Sequence, residues 1–355
     1  MRLAIVAALA VGGIAIVAAF ALGGGPANAY DVHALVADRA QLAPHVDTQL
    51  VNAWGLVATP TGPWWTANEA SSTSTLFSAA GRKQLLTVHV TGGPTGIAAY
   101  AGKGFLVSAG GRSDPARFIY ACEDGRLRAW TPTVPTDWST QAEIVVDDSV
   151  DAAVFRGVTV DGARVYATDF HDARVDVFDA RWHRVRRPGA FVDRSIPEWY
   201  APFGIQAIDG NVFVTYVYRA PVNGNDAPTG GYVDEFDRDG RLVARIGHDG
   251  VLNAPWGMAL APRSFGRFGG DLLIGNFGDG RINAYRRSPN GWSYDGTLHD
   301  SHGKPLVVNG LWGLAFGNGG MAGPAGTLFF TSGPHAWYGE TELRVHGLLG
   351  SITAA

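Results

Sequence analysis

The residues with the clearest chemical potential are six that each stand directly before a glycine and an apolar residue. They recur once in each of six similar stretches of the chain, at Trp54, Thr95, Arg156, Phe203, Trp256 and Trp312. Flat aromatic faces suit sugars or aromatic ligands, and a guanidinium can pair with a carboxylate or stack on a ring. If these residues converge, four aromatic side chains and Arg156 form a ligand site. In the alternative interpretation the aromatic side chains only fill space.

A second set of polar residues recurs where an apolar run ends before a turn. It comprises Asn68, Asp169 and Asn276. At the matching positions of the other stretches stand Tyr216, Ser332 and Ala121. The polar side chains could ring one end of a central channel, or they could cap turns by bonding backbone N–H groups. His171 has Asp169 and Asp172 near it in sequence, which would suit a general base or a metal ligand.

Short strands joined by tight turns must position these residues. Residues 271–285 show the pattern, because the apolar run 272–274 is followed by the Gly-Asp-Gly turn 278–280 and a second apolar alternation. Related sequences recur at positions 73, 124, 172, 230, 279 and 340, at spacings of 51, 48, 58, 49 and 61 residues. A strand-built repeat of this length is typical of a β-propeller. We therefore predict an all-β, six-bladed β-propeller.

The last repeat unit is short of a fourth strand at its C-terminal end. Residues 33–37, an apolar stretch near the start of the chain, can supply that strand. A propeller with an open seam would leave two exposed strand edges. We therefore expect the N-terminal strand to complete the last blade.

Residues 1–29 have the form of a secretory signal peptide. Arg2 precedes an apolar run, 3–22, and Ala27-Asn28-Ala29 resembles a cleavage site. The apolar run is also long enough to cross a bilayer, so an uncleaved N-terminal membrane anchor is the alternative. We expect cleavage and export to the periplasm or the outside, with residues 30–355 forming a single propeller domain that does not contact the membrane.

Composition narrows the range of partners. The net charge of −4 gives no basic field for nucleic acid. Cys122 is the single cysteine, so we expect no internal disulfide and interpret it as a small buried apolar residue. The basic run 181–187 is interpreted as a solvated loop between blades. We expect a monomer that binds a small molecule or a protein.

Three motifs carry a family resemblance. They are Asn-Ala-Trp-Gly-Leu-Val-Ala at 52–58, Glu-Asp-Gly at 123–125, and Leu-Trp-Gly-Leu-Ala-Phe-Gly-Asn-Gly at 311–319. The repeats resemble NHL-type repeats, and the chain is similar over nearly all of its mature length to exported bacterial β-propeller proteins of unknown function. The resemblance implies a fold and an export route but no chemistry. Residues 220–231, in the predicted fourth blade, depart from the usual composition of that family.

At the level of fold, the chain also resembles six-bladed metal-dependent lactonases and related hydrolases. We call the glycine that follows each of the six recurring residues, Trp54 to Trp312, the marker glycine. In those enzymes, residues just before the marker glycine offer carboxylate and amide groups to a central cation. None of the six matching positions here carries such a group, and Arg156 would repel a cation. Asn52, Asn253 and Asn309 lie just upstream, but amides alone bind Ca²⁺ weakly.

The absence of carboxylates from those positions favours a ligand-binding or protein-interaction module over an enzyme. The alternative is a hydrolase or lactonase-like enzyme that acts on a small molecule or a glycan at the central channel. We predict no cofactor and no metal, since the channel positions do not support Ca²⁺. The sequence contains no recognisable nucleophile, phosphate-loop or EF-hand motif, so no catalytic residue is assigned.

Overall fold

The structure is a computed structural model that describes residues 27–219, 230–248, 250–334 and 345–355. Most of the predicted signal peptide, residues 220–229 of the fourth-blade loop and the repeat position at 340 lie outside the described residues. Among the described residues, no helix is long and apolar enough to cross a membrane.

Strands account for nearly all of the regular structure. The chain begins with β1 (Tyr30–Ala37) and β2 (His45–Val46). Blade one contains β3 (Ala53–Ala58), β4 (Trp64–Asn68), β5 (Thr73–Phe77) and β6 (Lys83–His89). Blade two begins with β7 (Pro94–Ala99), is interrupted by a hairpin of β8 (Leu106–Ala109) and β9 (Arg112–Pro115), and continues with β10 (Phe118–Cys122), β11 (Arg126–Trp130) and β12 (Glu143–Asp147). Blade three contains β13 (Phe155–Asp161), β14 (Arg164–Asp169) and β15 (Arg174–Asp179).

The second half of the propeller follows the same plan. Blade four contains β16 (Tyr200–Ile208), β17 (Asn211–Tyr218), β18 (Tyr232–Phe236) and β19 (Leu242–His248). Blade five contains β20 (Pro255–Leu260), β21 (Leu272–Asn276), β22 (Ile282–Ser288) and β23 (Gly291–Thr297). Blade six contains β24 (Leu311–Phe316), β25 (Leu328–Ser332) and β26 (Leu348–Ala354). Two short 3₁₀ turns, Ser149–Asp151 and Gly266–Phe268, complete the regular elements of the described residues.

The N-terminal strand closes the ring. Strand β1 pairs antiparallel with β26 from Tyr30 opposite Ala354 to Ala37 opposite Leu348. The last blade therefore has the order β24-β25-β26-β1, with β2 at its outer edge. Both the six-bladed propeller and its closure by the N-terminal strand are confirmed. Because the first strand of the chain completes the last blade, the ring can open at this point only if the hydrogen bonds between β1 and β26 break.

The marker glycines explain how six blades meet around a narrow axis. A Cβ on Gly204 would stand 2.1 Å from the carbonyl oxygen of Trp256 in the next blade, and one on Gly257 would stand 2.3 Å from that of Trp312. The last blade repeats the contact with the first, since a Cβ on Gly313 would lie 2.8 Å from the carbonyl oxygen of Trp54. The inner strands thus approach too closely for any side chain. At the level of these glycines the channel narrows to about 30 Å³, which is room for a single water, and it widens to about 240 Å³ between later residues of the same strands.

Blade three differs from the others. Its sheet has three strands. In place of a fourth strand, residues 183–185 make only two backbone hydrogen bonds with β15, from Asp179 to His183 at 2.9 Å and from Val185 to Val177 at 2.7 Å. The chain then crosses to blade four, where the Phe191 N–H bonds the carbonyl of Gly240 at 2.8 Å. An edge strand that is only partly covered leaves room between the two blades.

Candidate functional site

Four of the six predicted marker side chains form one aromatic cluster. Trp54 stacks on Trp312 with ring centroids 3.5 Å apart, and Trp256 lies edge-on to both at 6.1 and 5.8 Å. Phe203 meets Trp54 edge-on at 6.3 Å. The four side chains are 3–9 % exposed, and Trp256 also lines the channel. Because they bury one another's faces, they close this end of the channel, as in the packing interpretation.

The indole N–H groups of this cluster are not all satisfied. Trp312 donates to the side-chain oxygen of Asn52 at 3.2 Å. The Nε1 atoms of Trp54 and Trp256 are buried and have no hydrogen-bond partner among the described residues. A buried donor without an acceptor costs about 1–3 kcal/mol. A ligand that brought an acceptor to either nitrogen would remove that cost.

Arg156 lies beside the aromatic cluster. Its guanidinium stands 5.4 Å from the ring centre of Trp54 and 5.5 Å from that of Phe170, which are cation–π distances. It also forms an ion pair with Glu123. Burial lowers the pKa of Arg156 to about 10, opposed by the field of Glu69. The group therefore stays cationic at neutral pH, and its Nε atom has no hydrogen-bond partner in the described ranges.

Two carboxylates that the sequence analysis did not select stand next to Arg156. Glu69 accepts a hydrogen bond of 2.7 Å from the side-chain amide of Asn52, and Glu123 holds the guanidinium of Arg156. One oxygen of each carboxylate lies 3.4 Å from the point that a Cβ on Gly93 would occupy, so the two oxygens are within twice that distance of each other. Glu69, Glu123 and Arg156 thus make a charged half of the channel mouth, next to the aromatic half.

Strand register explains why Glu123 was missed. The strand-end position lies opposite the residue before each marker, as Asn68 lies opposite Ala53 and Asn276 opposite Pro255. In blade two that partner is Cys122, because the ladder is irregular between Tyr120 and Cys122. The assignment of Ala121 to this position was therefore wrong by one residue. With the strand end at Cys122, the next residue, Glu123, corresponds to Glu69, which follows the strand end Asn68 in blade one. Both carboxylates could have been found by considering the residue after each strand end.

The predicted polar set is engaged in local hydrogen bonds. Asn68 donates to the hydroxyls of Thr73 and Thr75 at 3.1 and 2.9 Å. Asp169 accepts from the backbone N–H groups of Val154 and His171, and Asn276 donates to the carbonyl of Val251 at 2.8 Å. All three side chains are fully buried, and the bonds of Asp169 are those of a turn cap. No hydrogen bond joins the three across the part of the chain that the structure describes.

The remaining candidates have separate positions. His171 is half-exposed and bonds Asp172 at 3.0 Å. Thr95 is buried and donates to backbone carbonyls, so it offers nothing to the channel mouth. Cys122 is buried, and burial raises the pKa of its thiol to about 12. Within the described ranges, no group of three His, Cys, Asp or Glu side chains could hold a metal ion.

Solved structures match this fold at low sequence identity. A protein of unknown function from Bacteroides thetaiotaomicron superposes with a TM-score of 0.55 at 13 % identity, over 91 % of this chain and 76 % of that one. The WD40 β-propeller domain of Doa1 superposes with a TM-score of 0.50 at 9 % identity, over 90 % of this chain and 96 % of that one. These likenesses support the β-propeller fold alone.

Curated relatives match at the level of sequence, whereas no family model matches the chain. "Uncharacterized protein L690" of Acanthamoeba polyphaga mimivirus is 34 % identical over 302 residues, which are 81 % of this chain and 78 % of the viral protein. "Uncharacterized protein R648" of the same virus is 33 % identical over 342 residues, 91 % of this chain and 80 % of that protein. Together with the propeller architecture, these identities show that the chain belongs to the same β-propeller family as the uncharacterised mimivirus proteins L690 and R648.

Proposed function

We propose that the protein is an exported binding module that holds a neutral, hydroxyl-rich ligand such as a carbohydrate at the channel mouth. The observation that carries the proposal is the set of unpaired donors at this place. Within the part of the chain that the structure describes, the Nε1 atoms of Trp54 and Trp256 and the Nε of Arg156 are buried without partners. Each is a donor that a ligand oxygen would satisfy.

The carboxylates and the guanidinium at the mouth favour a ligand that both donates and accepts hydrogen bonds. Glu69 and Glu123 can only accept hydrogen bonds when ionised, and Arg156 can only donate them. A sugar hydroxyl does both, so one ligand ring can bridge acceptors and donors. The three charged groups sum to −1, which disfavours an organic anion at this mouth.

The aromatic cluster contributes a rigid floor rather than a stacking face. Its rings are nearly buried by one another and by Phe277, which stacks on Trp312 at 4.0 Å. Polar groups fixed on such a floor keep their geometry before the ligand arrives, which reduces the entropy lost on binding.

The hydrolase alternative has weaker support. Arg156 puts a fixed positive charge at one of the six positions that reach the cation in metal-dependent propeller hydrolases. A divalent ion would have to bind against that charge.

The test is a binding screen of the purified full chain by thermal shift and calorimetry. The panel pairs neutral mono- and oligosaccharides with the corresponding uronic acids. Glu69→Gln and Arg156→Met should weaken the binding of a neutral sugar at least tenfold, because each removes charged hydrogen bonds. Glu143→Gln on β12 is the matched control and should bind as the wild type does. The proposal fails if no neutral sugar binds, or if the control loses as much affinity as the site variants.

A further inference from the structure

A cleft opens between blades three and four, where blade three has no regular fourth strand. It has a volume of about 320 Å³, which is the size of a small-molecule site. One wall is the edge strand β15, and the other is formed by residues 186–191 and the turn at Arg238 and Asp239. It exists because the chain leaves β15 after Val185 and is anchored to blade four by Phe191.

The lining combines an apolar floor with a cationic rim. Val175, Val177, Pro188 and Phe191 supply apolar surface. The guanidiniums on the walls are those of Arg164, Arg174, Arg184, Arg186, Arg187 and Arg238. Guanidinium groups match the geometry of phosphate, sulfate and carboxylate oxygens in two-point hydrogen bonds.

The positive charge is not balanced evenly along the cleft. On the β15 side, Arg174 and Arg184 are surrounded by carboxylates, both of them pairing with Asp176. The blade-four side is different, because three guanidiniums there, together with that of Arg164 reaching across from β14, meet fewer carboxylates.

On that side Arg164 and Arg187 share one carboxylate, Asp239, which lies 2.8 Å from Arg164. Arg238 bonds Asp161. Arg186 is exposed and has no ion pair within the described part of the chain. The blade-four side therefore carries a surplus of positive charge beside apolar surface.

We propose that this cleft binds an amphiphilic oxyanion, namely a phosphate or sulfate monoester with an apolar body. The doubly or singly charged head would lie among Arg164, Arg186 and Arg187, and the apolar body would cover Val177 and Phe191. The site differs from the channel mouth in its charge, since the mouth sums to −1 and disfavours anions. The same head group can belong to a soluble ester or to a lipid.

The experiment measures binding of phenyl phosphate to the purified full chain by calorimetry, with benzyl alcohol as the uncharged comparison. We expect phenyl phosphate to bind and benzyl alcohol not to, and the affinity to fall as salt rises. Arg186→Ala should raise the Kd several-fold, and Arg186→Ala with Arg187→Ala at least tenfold. Arg186→Ala breaks no ion pair, so it tests the site without disturbing the fold.

The control is Arg241→Ala, in the turn of blade four that also carries Arg238 and Asp239. Its side chain is 82 % exposed and it does not line the cleft. Absence of phenyl phosphate binding would overturn the proposal, and so would an equal loss with Arg241→Ala. Inorganic phosphate binding as tightly as phenyl phosphate would overturn the role of the apolar floor. If the protein sediments with phosphatidic acid vesicles and the double variant does not, the ligand is a lipid head group. If the protein binds phenyl phosphate but does not sediment with the vesicles, the ligand is a soluble ester.

Discussion

Trp256 allows the two roles of the aromatic cluster to be separated by substitution. Trp256→Ala removes a side chain that is 9 % exposed and packs edge-on against two other indoles. That change should lower the free energy of unfolding by about 3–5 kcal/mol. Trp256→Phe keeps an aromatic ring in place but removes the N–H group. Since that N–H has no acceptor among the residues that the structure describes, its removal returns about 1–3 kcal/mol and offsets much of the lost packing.

Trp130 provides the matched comparison. It is 5 % exposed, and its indole N–H donates to the carbonyl of Ser139 at 3.0 Å. Trp130→Phe therefore loses similar packing but also leaves a carbonyl without its donor. We expect Trp130→Phe to destabilise the protein by about 2 kcal/mol more than Trp256→Phe does. Urea unfolding followed by circular dichroism measures both differences.

Ligand binding completes the test. If the N–H of Trp256 is a ligand contact, Trp256→Phe should weaken sugar binding while leaving the fold nearly as stable as the wild type. Equal destabilisation by Trp256→Phe and Trp130→Phe would refute the reasoning, because it would mean that the N–H of Trp256 already has a partner in the free protein.

Three further predictions concern the frame that holds the site. Gly204→Ala places a Cβ 2.1 Å from the backbone of Trp256 and should cost about 3 kcal/mol, whereas Gly157→Ala, at 3.0 Å from its nearest neighbour, should cost about 1 kcal/mol by urea unfolding. Burial raises the pKa of Asp234 from its ordinary 3.8 to about 6. The folded state thus binds more protons than the unfolded state between those values, so this group makes the protein more stable as pH falls. The gain from pH 7 to pH 5 is about 1.3 kcal/mol of a total of about 3 kcal/mol, and Asp234→Asn should flatten that part of the Tm profile. Removal of the chain through Ala37 should expose the edge of β26, and light scattering should then show association.

The sequence was sufficient for the fold because the repeat has a physical cause at each position. Each marker glycine is required where two inner strands approach within contact distance, and Gly204 shows the closest approach to the next blade. The apolar run near the N-terminus was predicted to pair because an open seam has a cost, and β1 pairs along its length. Such constraints act on every blade, so they leave a periodic trace.

The charged residues of the site do not follow the periodic pattern of the repeats. Glu69 follows the strand end by one residue, and the equivalent Glu123 is displaced by the irregular pairing at Cys122. A slip of one residue in the alignment of a strand places every neighbour on the wrong face. The cleft beside blade three was hidden for a related reason, since the basic run after β15 has no strand pattern and its position against blade four depends on Phe191. Neither feature could be derived from spacing alone.

The candidate sites lie where the repeat is broken. A propeller of six equal blades would present six equal groups to its axis, so its mouth would offer the same contact on every side. Here aromatic groups from blades one, four, five and six fill one side of the mouth, and Glu69, Glu123 and Arg156 from blades one to three make the other. Thr95 turns its hydroxyl into the backbone of blades two and three and so adds no group between the two carboxylates. The proposed neutral, hydroxyl-rich ligand has a matching asymmetry, since its hydroxyls can bond the carboxylates and the guanidinium on one side of the mouth.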